Sequence, residues 1–312
     1  MKNILFLTFA IITLITSCST EDSGNDENNI IENTTNLVKR QYYDLLEDDG
    51  GFQRNNIEYS YNQNKLLSKV HDYTTQEEDG VIYAEFTKKH AFNYDSNNNI
   101  IEWVYERYIP LEDGLDNFIR KYEYDSKNRL ITSYEYQTQT YTYSYNDNII
   151  TINDSDNSKT TLVTNADGLV SKMITPDYYS VFSYDENQNI LEINTFDNNE
   201  NILAAYKYTY DQNPNSFYGQ LNSIYLSRFL IVMRSVWGGD PSHTEFVFQA
   251  NINSGVDFPF LKNNLKSGIE DKFEDYIFKF NCDYEYNKEN YPISILVNYN
   301  YWNTTINFEY FD

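Results

Sequence analysis

The stretch Tyr122-Glu123-Tyr124-Asp125-Ser126-Lys127-Asn128-Arg129-Leu130-Ile131 constrains the fold more than any other. Tyr122 and Tyr124 share one face of an extended strand and Glu123 takes the other, because successive side chains alternate. Aromatic rings suit a pleated, half-buried surface. Asp125 ends the strand, since Asp, Ser and Asn side chains bond nearby backbone and tolerate left-handed geometry. Leu130 and Ile131 begin a second apolar strand, so the stretch reads as a β-hairpin.

The hairpin recurs. Phe92-Asn93-Tyr94-Asp95 leads to Ile100-Ile101, and Phe182-Ser183-Tyr184-Asp185 to Ile190-Leu191. Tyr59-Ser60-Tyr61-Asn62 leads to Leu66-Leu67 and Tyr143-Ser144-Tyr145-Asn146 to Ile149-Ile150, both read as having shorter turns. Tyr208-Thr209-Tyr210-Asp211 runs into Asn213-Pro214, and Tyr284-Glu285-Tyr286-Asn287 leads through Tyr291-Pro292 to Ile293. Asn165-Ala166-Asp167-Gly168-Leu169 keeps only the turn and the return strand. Units of this size, one or two hairpins, bury their apolar faces only by pairing with neighbours. The expected fold is therefore all-β: an antiparallel meander of repeated hairpins, curled or barrel-like, with one irregular insert around residues 212–270. In that insert Leu221, Tyr225, Phe229, Val232 and Val236 fit a helical face, while Ile224, Leu226, Leu230 and Val232 fit a strand equally well. A short helix covering one end of the sheet is the expectation.

These motifs resemble the YD repeat of RHS-type proteins, [YF]-x-Y-D-x-x-G-x-L, although most copies here carry Asn where that family favours Gly. The chain is also similar to an uncharacterised family of Gram-negative surface lipoproteins with a porin-like β fold. Those proteins combine a lipobox, YxYD hairpins, an NP-F segment and a late Y-x-Y-N-x-x-x-Y-P copy. Here the matching residues are Cys18, the hairpins above, Asn213-Pro214-Asn215-Ser216-Phe217, and Tyr284 to Pro292. The resemblance spans about residues 55–312. It implies a fold and a location, and brings no activity with it.

Residues 1–18 read as a lipoprotein signal peptide. Lys2 supplies the positive start, and Ile4 to Ile15 is an apolar run too short to span a bilayer as a helix. It ends in Ile15-Thr16-Ser17-Cys18, a lipobox whose Cys18 would be lipidated and anchor the chain to the membrane. Residues 19–37 follow as a disordered acidic tether, with Glu21, Asp22, Asp26 and Glu27 set among Ser, Asn and Gly. Acidic residues just after the lipidated Cys resemble surface-export signals, which places the protein on the outer membrane facing outward. Residues 38–312 form a single β domain. From Cys18 onward the chain has 22 Lys+Arg against 47 Asp+Glu, a formal charge of −25. Such a balance disfavours nucleic acid, whose phosphates need clustered cations.

No nucleophile elbow, P-loop, zinc motif or dinucleotide motif is present, and no catalytic residue is nominated. His71, His90 and His243 have no metal-like partner in sequence and read as surface or loop histidines. Cys282 lies on the apolar face of the regularly alternating stretch Phe278 to Tyr286 and reads as a buried, inert thiol. Asp95, Asn97 and Asn99, and again Asp185, Asn187 and Asn189, set oxygen ligands at alternate positions, as does Asp154 with Asp156. That spacing suits Ca2+, although Asx-rich hairpin turns account for it without a metal. No cofactor other than Ca2+ is expected. With 31 Tyr, 19 Phe and 3 Trp, most rings belong to cross-strand ladders, and Trp237, Tyr301 and Trp302 are the best sugar-stacking platforms.

The expected function is non-enzymatic: a cell-envelope lipoprotein that binds or scaffolds, with a glycan or an envelope protein as partner. The alternatives are a glycan hydrolase with a carboxylate pair, or a structural shell.

Overall fold

The computed structural model describes residues 36–46, 52–78, 81–109, 114–135, 139–234, 260–272, 276–299 and 303–312. Its local unit is an Asx turn. The Asp125 Oδ1 accepts the main-chain N–H of Lys127 (2.9 Å) and of Arg129 (3.0 Å). The Asp125 N–H donates to the Arg129 carbonyl at 3.0 Å, which closes a five-residue loop. Loops of the same kind start at Asn62, Asp95, Asp154, Asn165, Asp185, Asp197 and Asn287. The fourth loop residue is always left-handed: Asn98 at φ 65°, Asn128 at 59°, Gln188 at 69°, Gly168 at 79°. Asn adopts this region more readily than most side chains, which is why it stands where the resembling repeat favours Gly. The turn at Asn62 is not shorter than the others, since Lys65 takes the left-handed position. The turn at Asn146 is, because Asn146 pairs directly with Ile149.

The return strand then bulges. Tyr124 at the end of β6 (Gly114–Tyr124) pairs with Leu130 at the start of β7 (Leu130–Tyr134), whereas Glu123 pairs with Thr132. The Leu130 carbonyl is left to the Tyr145 hydroxyl, which donates to it at 2.7 Å from the next hairpin. Tyr61, Tyr94, Tyr124, Tyr184, Tyr210, Tyr284 and Tyr310 make the same reach, to the carbonyls of Val38, Leu67, Ile100, Val170, Ile190, Leu265 and Pro292 at 2.6–3.0 Å. A buried carbonyl left without a donor costs about 1–3 kcal/mol. In the copies ending in Tyr61, Tyr94, Tyr124, Tyr145, Tyr184 and Tyr210 the second aromatic thus staples the hairpin to its neighbour, whereas in the late copy the first, Tyr284, does so and Tyr286 bonds Asp211.

Eighteen strands, from β1 (Val38–Leu46) to β18 (Asn303–Tyr310), each pair antiparallel with the next in sequence, and β18 pairs with β1. The meander is a closed up-and-down barrel within the compact unit Asn33–Asp312. Closure leaves no sheet edge exposed. Inward positions are apolar or aromatic, among them Tyr59, Phe92, Trp103, Tyr122, Tyr143, Phe182, Tyr206 and Phe280, all buried. Cys282 is buried with them on β16 (Tyr276–Tyr286), and burial pushes its thiol pKa up to about 12.

Eighteen strands enclose more space than their own side chains fill, and the insert occupies part of it. It is narrower than residues 212–270. β14 (Ile202–Pro214) runs on to Pro214, which pairs with Asn263 at the head of β15 (Asn263–Lys272). The insert is spliced into a hairpin turn: Asp211 Oδ1 still accepts from the N–H two residues on, at Asn213, and the second N–H comes from Asn264. Within it α1 (Tyr225–Arg234) follows a short 3₁₀ turn, Asn222–Ile224. Rather than lying over one end of the sheet, this helix enters the barrel, where Ser227, Arg228, Phe229 and Leu230 are buried. The same insert caps main-chain donors of the return strands. Gln220 accepts the Leu67 N–H at 2.8 Å, Ser223 accepts that of Ile100 at 3.0 Å, and the Tyr225 hydroxyl bonds the Val170 backbone.

Candidate functional site

Counting back by twos from each YxYD copy stays on the inward face and moves away from the turns. From Tyr94 and Phe92 on β4 (Val81–Tyr94) the count reaches His90 and Lys88. From Tyr124 and Tyr122 it reaches Arg120 and Phe118. On β5 (Ile100–Ile109), Trp103, Tyr105 and Arg107 stand directly opposite Phe92, His90 and Lys88. On β3 (Leu67–Glu78), Val70 and Asp72 stand opposite His90 and Lys88. The inner wall of β3 to β7 is therefore aromatic near the turns and charged further in.

Two polar groups organise this wall. Deepest is the Glu135 carboxylate, just past β7 and buried. Arg120 Nε lies 2.8 Å from its Oε2, and the Ser227 hydroxyl of α1 donates to its Oε1 at 2.6 Å. The Arg120 guanidinium sits over the rings of Trp103 (4.3 Å) and Phe118 (4.6 Å), and Arg228 of α1 packs on Trp103 at 4.9 Å. Trp103 Nε1 donates to His90 Nδ1 at 3.0 Å. These contacts dock the helix to the wall. Tyr122 is buried among them with a hydroxyl that has no hydrogen-bond partner. Burial first, then the Glu135 charge, holds its pKa far above the usual phenol value, against the opposing pull of Arg120 and Arg228.

Further from the turns the wall is wetter. The Lys88 Nζ lies 3.6 Å from Asp72, with side-chain exposures of 36% and 21%. Tyr105 and Phe118 are half-buried, with ring centroids 4.5 Å apart and planes tilted by 31°. On β3 to β7 and the helix facing them, Lys88, Arg107, Arg120 and Arg228 point inward with Asp72 and Glu135, and Asp116 of β6 stands in register opposite Arg107. The outer wall carries the acids instead: Glu58, Glu106, Glu123, Asp283 and Glu285 are exposed there, between Lys69, Lys89, Lys121, Lys207 and Lys279.

The residues singled out from sequence fall elsewhere. Cys18, Trp237, Tyr301, Trp302 and His243 lie outside the described residues. Asp95 and Asp185 spend their Oδ1 atoms on loop N–H groups, of Asn97 and Asn99 in one turn and of Asn187 and Asn189 in the other. Their Oδ2 atoms accept the Asn99 and Asn189 side-chain amides. The Asn97 amide bonds Asn128 of the next turn at 3.0 Å, and Asn189 bonds Asn263 at 2.9 Å. Asp154 makes the same Asx turn with Asp156 and Ser158. No group of three or more metal-ligating side chains occurs among the described residues. His71 lies on the outer face of β3, where burial and Lys89 lower its pKa. His90 is not a surface histidine but part of the inner wall. Sequence reading passed over Lys88, Arg107, Arg120 and Glu135, although the same count by twos exposes Lys88 and Arg120 as charges on an aromatic face.

Fold and site together define a plugged up-and-down β-barrel with a polar outer wall. No family model matches the chain, and no curated protein matches it. Among solved structures it is similar to a porin-like protein from Bacteroides uniformis ATCC 8492, at 12% identity over 88% of this chain and 98% of that one, TM-score 0.47. It is also similar to a porin-like protein from Bacteroides vulgatus ATCC 8482, at 13% identity over 88% and 99%, TM-score 0.31. A third likeness, at 10% identity and TM-score 0.28, is to TcdB2-TccC3-TEV, over 83% of this chain and 15% of that one. At these scores the likenesses add nothing to the strand pairing, which by itself defines the barrel.

Proposed function

We propose that the protein is a non-enzymatic cell-envelope lipoprotein, anchored in the outer membrane through Cys18, whose barrel stands in water on the cell surface and binds a glycan. The observation that carries this reading is the outer wall. A barrel immersed in lipid presents an apolar band outward, and one Lys or Arg at the bilayer midplane costs about 2–4 kcal/mol. Here exposed Lys and Glu alternate along strand after strand, and exposed apolar residues such as Ile119 and Ile269 are interspersed with them. A barrel with such a wall is held at a membrane by a tether, and the lipobox supplies one. In this reading the half-buried aromatic and cationic inner wall takes the ligand, and Trp237, Tyr301 and Trp302 add stacking platforms.

A hydrolase would need two carboxylates facing each other across a substrate gap. Asp72 and Glu135, inward carboxylates among the described side chains of this wall, are each bound to a cation. A shell would need an empty interior, and α1 takes part of that space.

The test is made on cells. Wild-type protein is expected to partition with the membrane and to be digested by protease added to intact cells, and Cys18→Ala is expected to be released. Membrane retention of Cys18→Ala, or protection of the wild type from protease, would count against the reading. Detergent-solubilised protein on a glycan array then tests the ligand.

A further inference from the structure

One stretch of the outer wall departs from its charged pattern. Elsewhere opposite charges stand in register on neighbouring strands, as Lys89 does with Glu106 and Lys207 with Glu192. Across β14, β15, β16, β17 (Pro292–Tyr299) and β18 one row reads Thr209, Ser267, Asn281, Asn298 and Asn303, each opposite the next and none charged. These side chains are short, and a hollow of about 440 Å³ opens over them, its lining including Thr209, Lys266, Ser267, Asn281, Asp283 and Asn298. Longer side chains flank the row: Lys207, Ile269 and Lys279 on one side, Lys266 and Leu296 on the other, with Ile269 and Leu296 exposed. Of the charges on these flanks, Lys207 is paired with Glu192 at 3.1 Å, and Asp283 accepts from the Asn298 amide at 3.3 Å.

The row keeps hydrogen-bonding capacity of both kinds. The Thr209 and Ser267 hydroxyls bond each other at 2.6 Å, and a hydroxyl offers one donor and two acceptor lone pairs, so each has capacity left. Asn281 is exposed, and among the described residues no side chain bonds its amide, which offers two donors and a carbonyl.

Resting on the glycan reading above, we propose that this trough is a further glycan contact, outside the barrel, and binds a neutral oligosaccharide lying across the strands. Sugar hydroxyls both donate and accept, and the row meets them with amides and hydroxyls, without a charge to strip of water. Its polar groups repeat at the strand spacing, about 4.7–4.9 Å, so successive sugar residues meet successive side chains. The C–H faces of the rings rest on Ile269 and Leu296. A peptide strand would need a free sheet edge to pair with, and the closed barrel has none.

The test is isothermal titration of the full-length protein, in a detergent without a sugar headgroup, with cellohexaose, maltohexaose, mannohexaose and an oligogalacturonate. At least one of the neutral probes is expected to bind. Asn281→Ala and Asn298→Ala should each lose about tenfold in affinity for it. Lys121→Ala, on the outer wall of β6, should change nothing. Melting curves of each variant separate lost binding from lost fold. Binding of the oligogalacturonate alone, neutral binding untouched by Asn281→Ala and Asn298→Ala, or an equal loss in Lys121→Ala overturns the proposal and leaves the glycan reading standing. If no probe binds to folded protein, both fall.

Discussion

The turn end of the barrel and the charged wall further in are built on the same strands by opposite means. At the turn end one small device is repeated: an Asx loop, a bulge and a tyrosine hydroxyl reaching the freed carbonyl. Each copy contributes a little, and its loss is local. On the wall of β3 to β7 nothing repeats. Glu135, Arg120, Ser227 and Trp103 form a single buried polar knot between sheet and helix, with side-chain exposures of 15% for Arg120 and 3% for Glu135. Repetition gives tolerance, and a unique buried charge pair gives a single point of failure.

That contrast is easiest to break at Glu135. Glu135→Ala leaves Arg120 buried without its partner and removes the acceptor of Ser227, so a loss of about 3–5 kcal/mol is expected in chemical denaturation. A loss no larger than that of a single staple would mean the knot does not hold the helix.

Alkaline titration addresses the turn end as a whole. Burial raises the pKa of Cys282 to about 12, and pushes the hydroxyls of Tyr61, Tyr94, Tyr124, Tyr184 and Tyr284 higher still. These groups stay protonated in the folded protein at pH values where the unfolded chain loses its protons. The unfolded state therefore binds fewer protons, and stability falls as pH rises past the ordinary thiol and phenol values of about 8.5–10. Phenolate absorbance should appear together with unfolding, in one cooperative step. Gradual phenolate formation in a folded barrel would show that the staples are open to solvent.

One motif allows an internal control. Tyr124→Phe removes a hydroxyl that donates to Ile100 at 2.7 Å and should cost about 1–3 kcal/mol. Tyr122→Phe, two residues away, removes a hydroxyl with no partner and should be neutral or stabilising. Reversed effects in the two melting curves would overturn the assignment of Tyr124 as the staple of this copy. The smallest effect is expected at Lys65, which holds φ 61° although it is neither Asn nor Gly. Lys65→Gly should gain about 0.5–1 kcal/mol, and a loss would mean the lysine stem packs usefully.

Much of the turn end was legible in the sequence. The period of two, the Asp or Asn that stops each strand and the left-handed Asn all act through bonds between residues no more than five apart. Two such turns, at Asp154 and Asp197, lie at the opposite end of the barrel and lack the preceding Tyr pair, so they carried no repeat signal. The wall was harder to read, because Glu135 meets Ser227 across 92 residues and nothing local marks either one. The bulge also shifts the alternation on β5, which hides that Trp103 and Arg107 face the same way as Phe92 and Lys88.

By itself the sequence determined the hairpin, its turn chemistry and the inward face of most strands, because these are set by neighbouring dihedrals and side chains that bond their own backbone. Only the tertiary structure decided that eighteen strands close, that the insert goes inside rather than over one end, and that a charged patch lines part of the inner wall. Closure depends on strand number and stagger, which no single hairpin encodes. The plug depends on the space that closure leaves, and the patch on strands brought together by pairing.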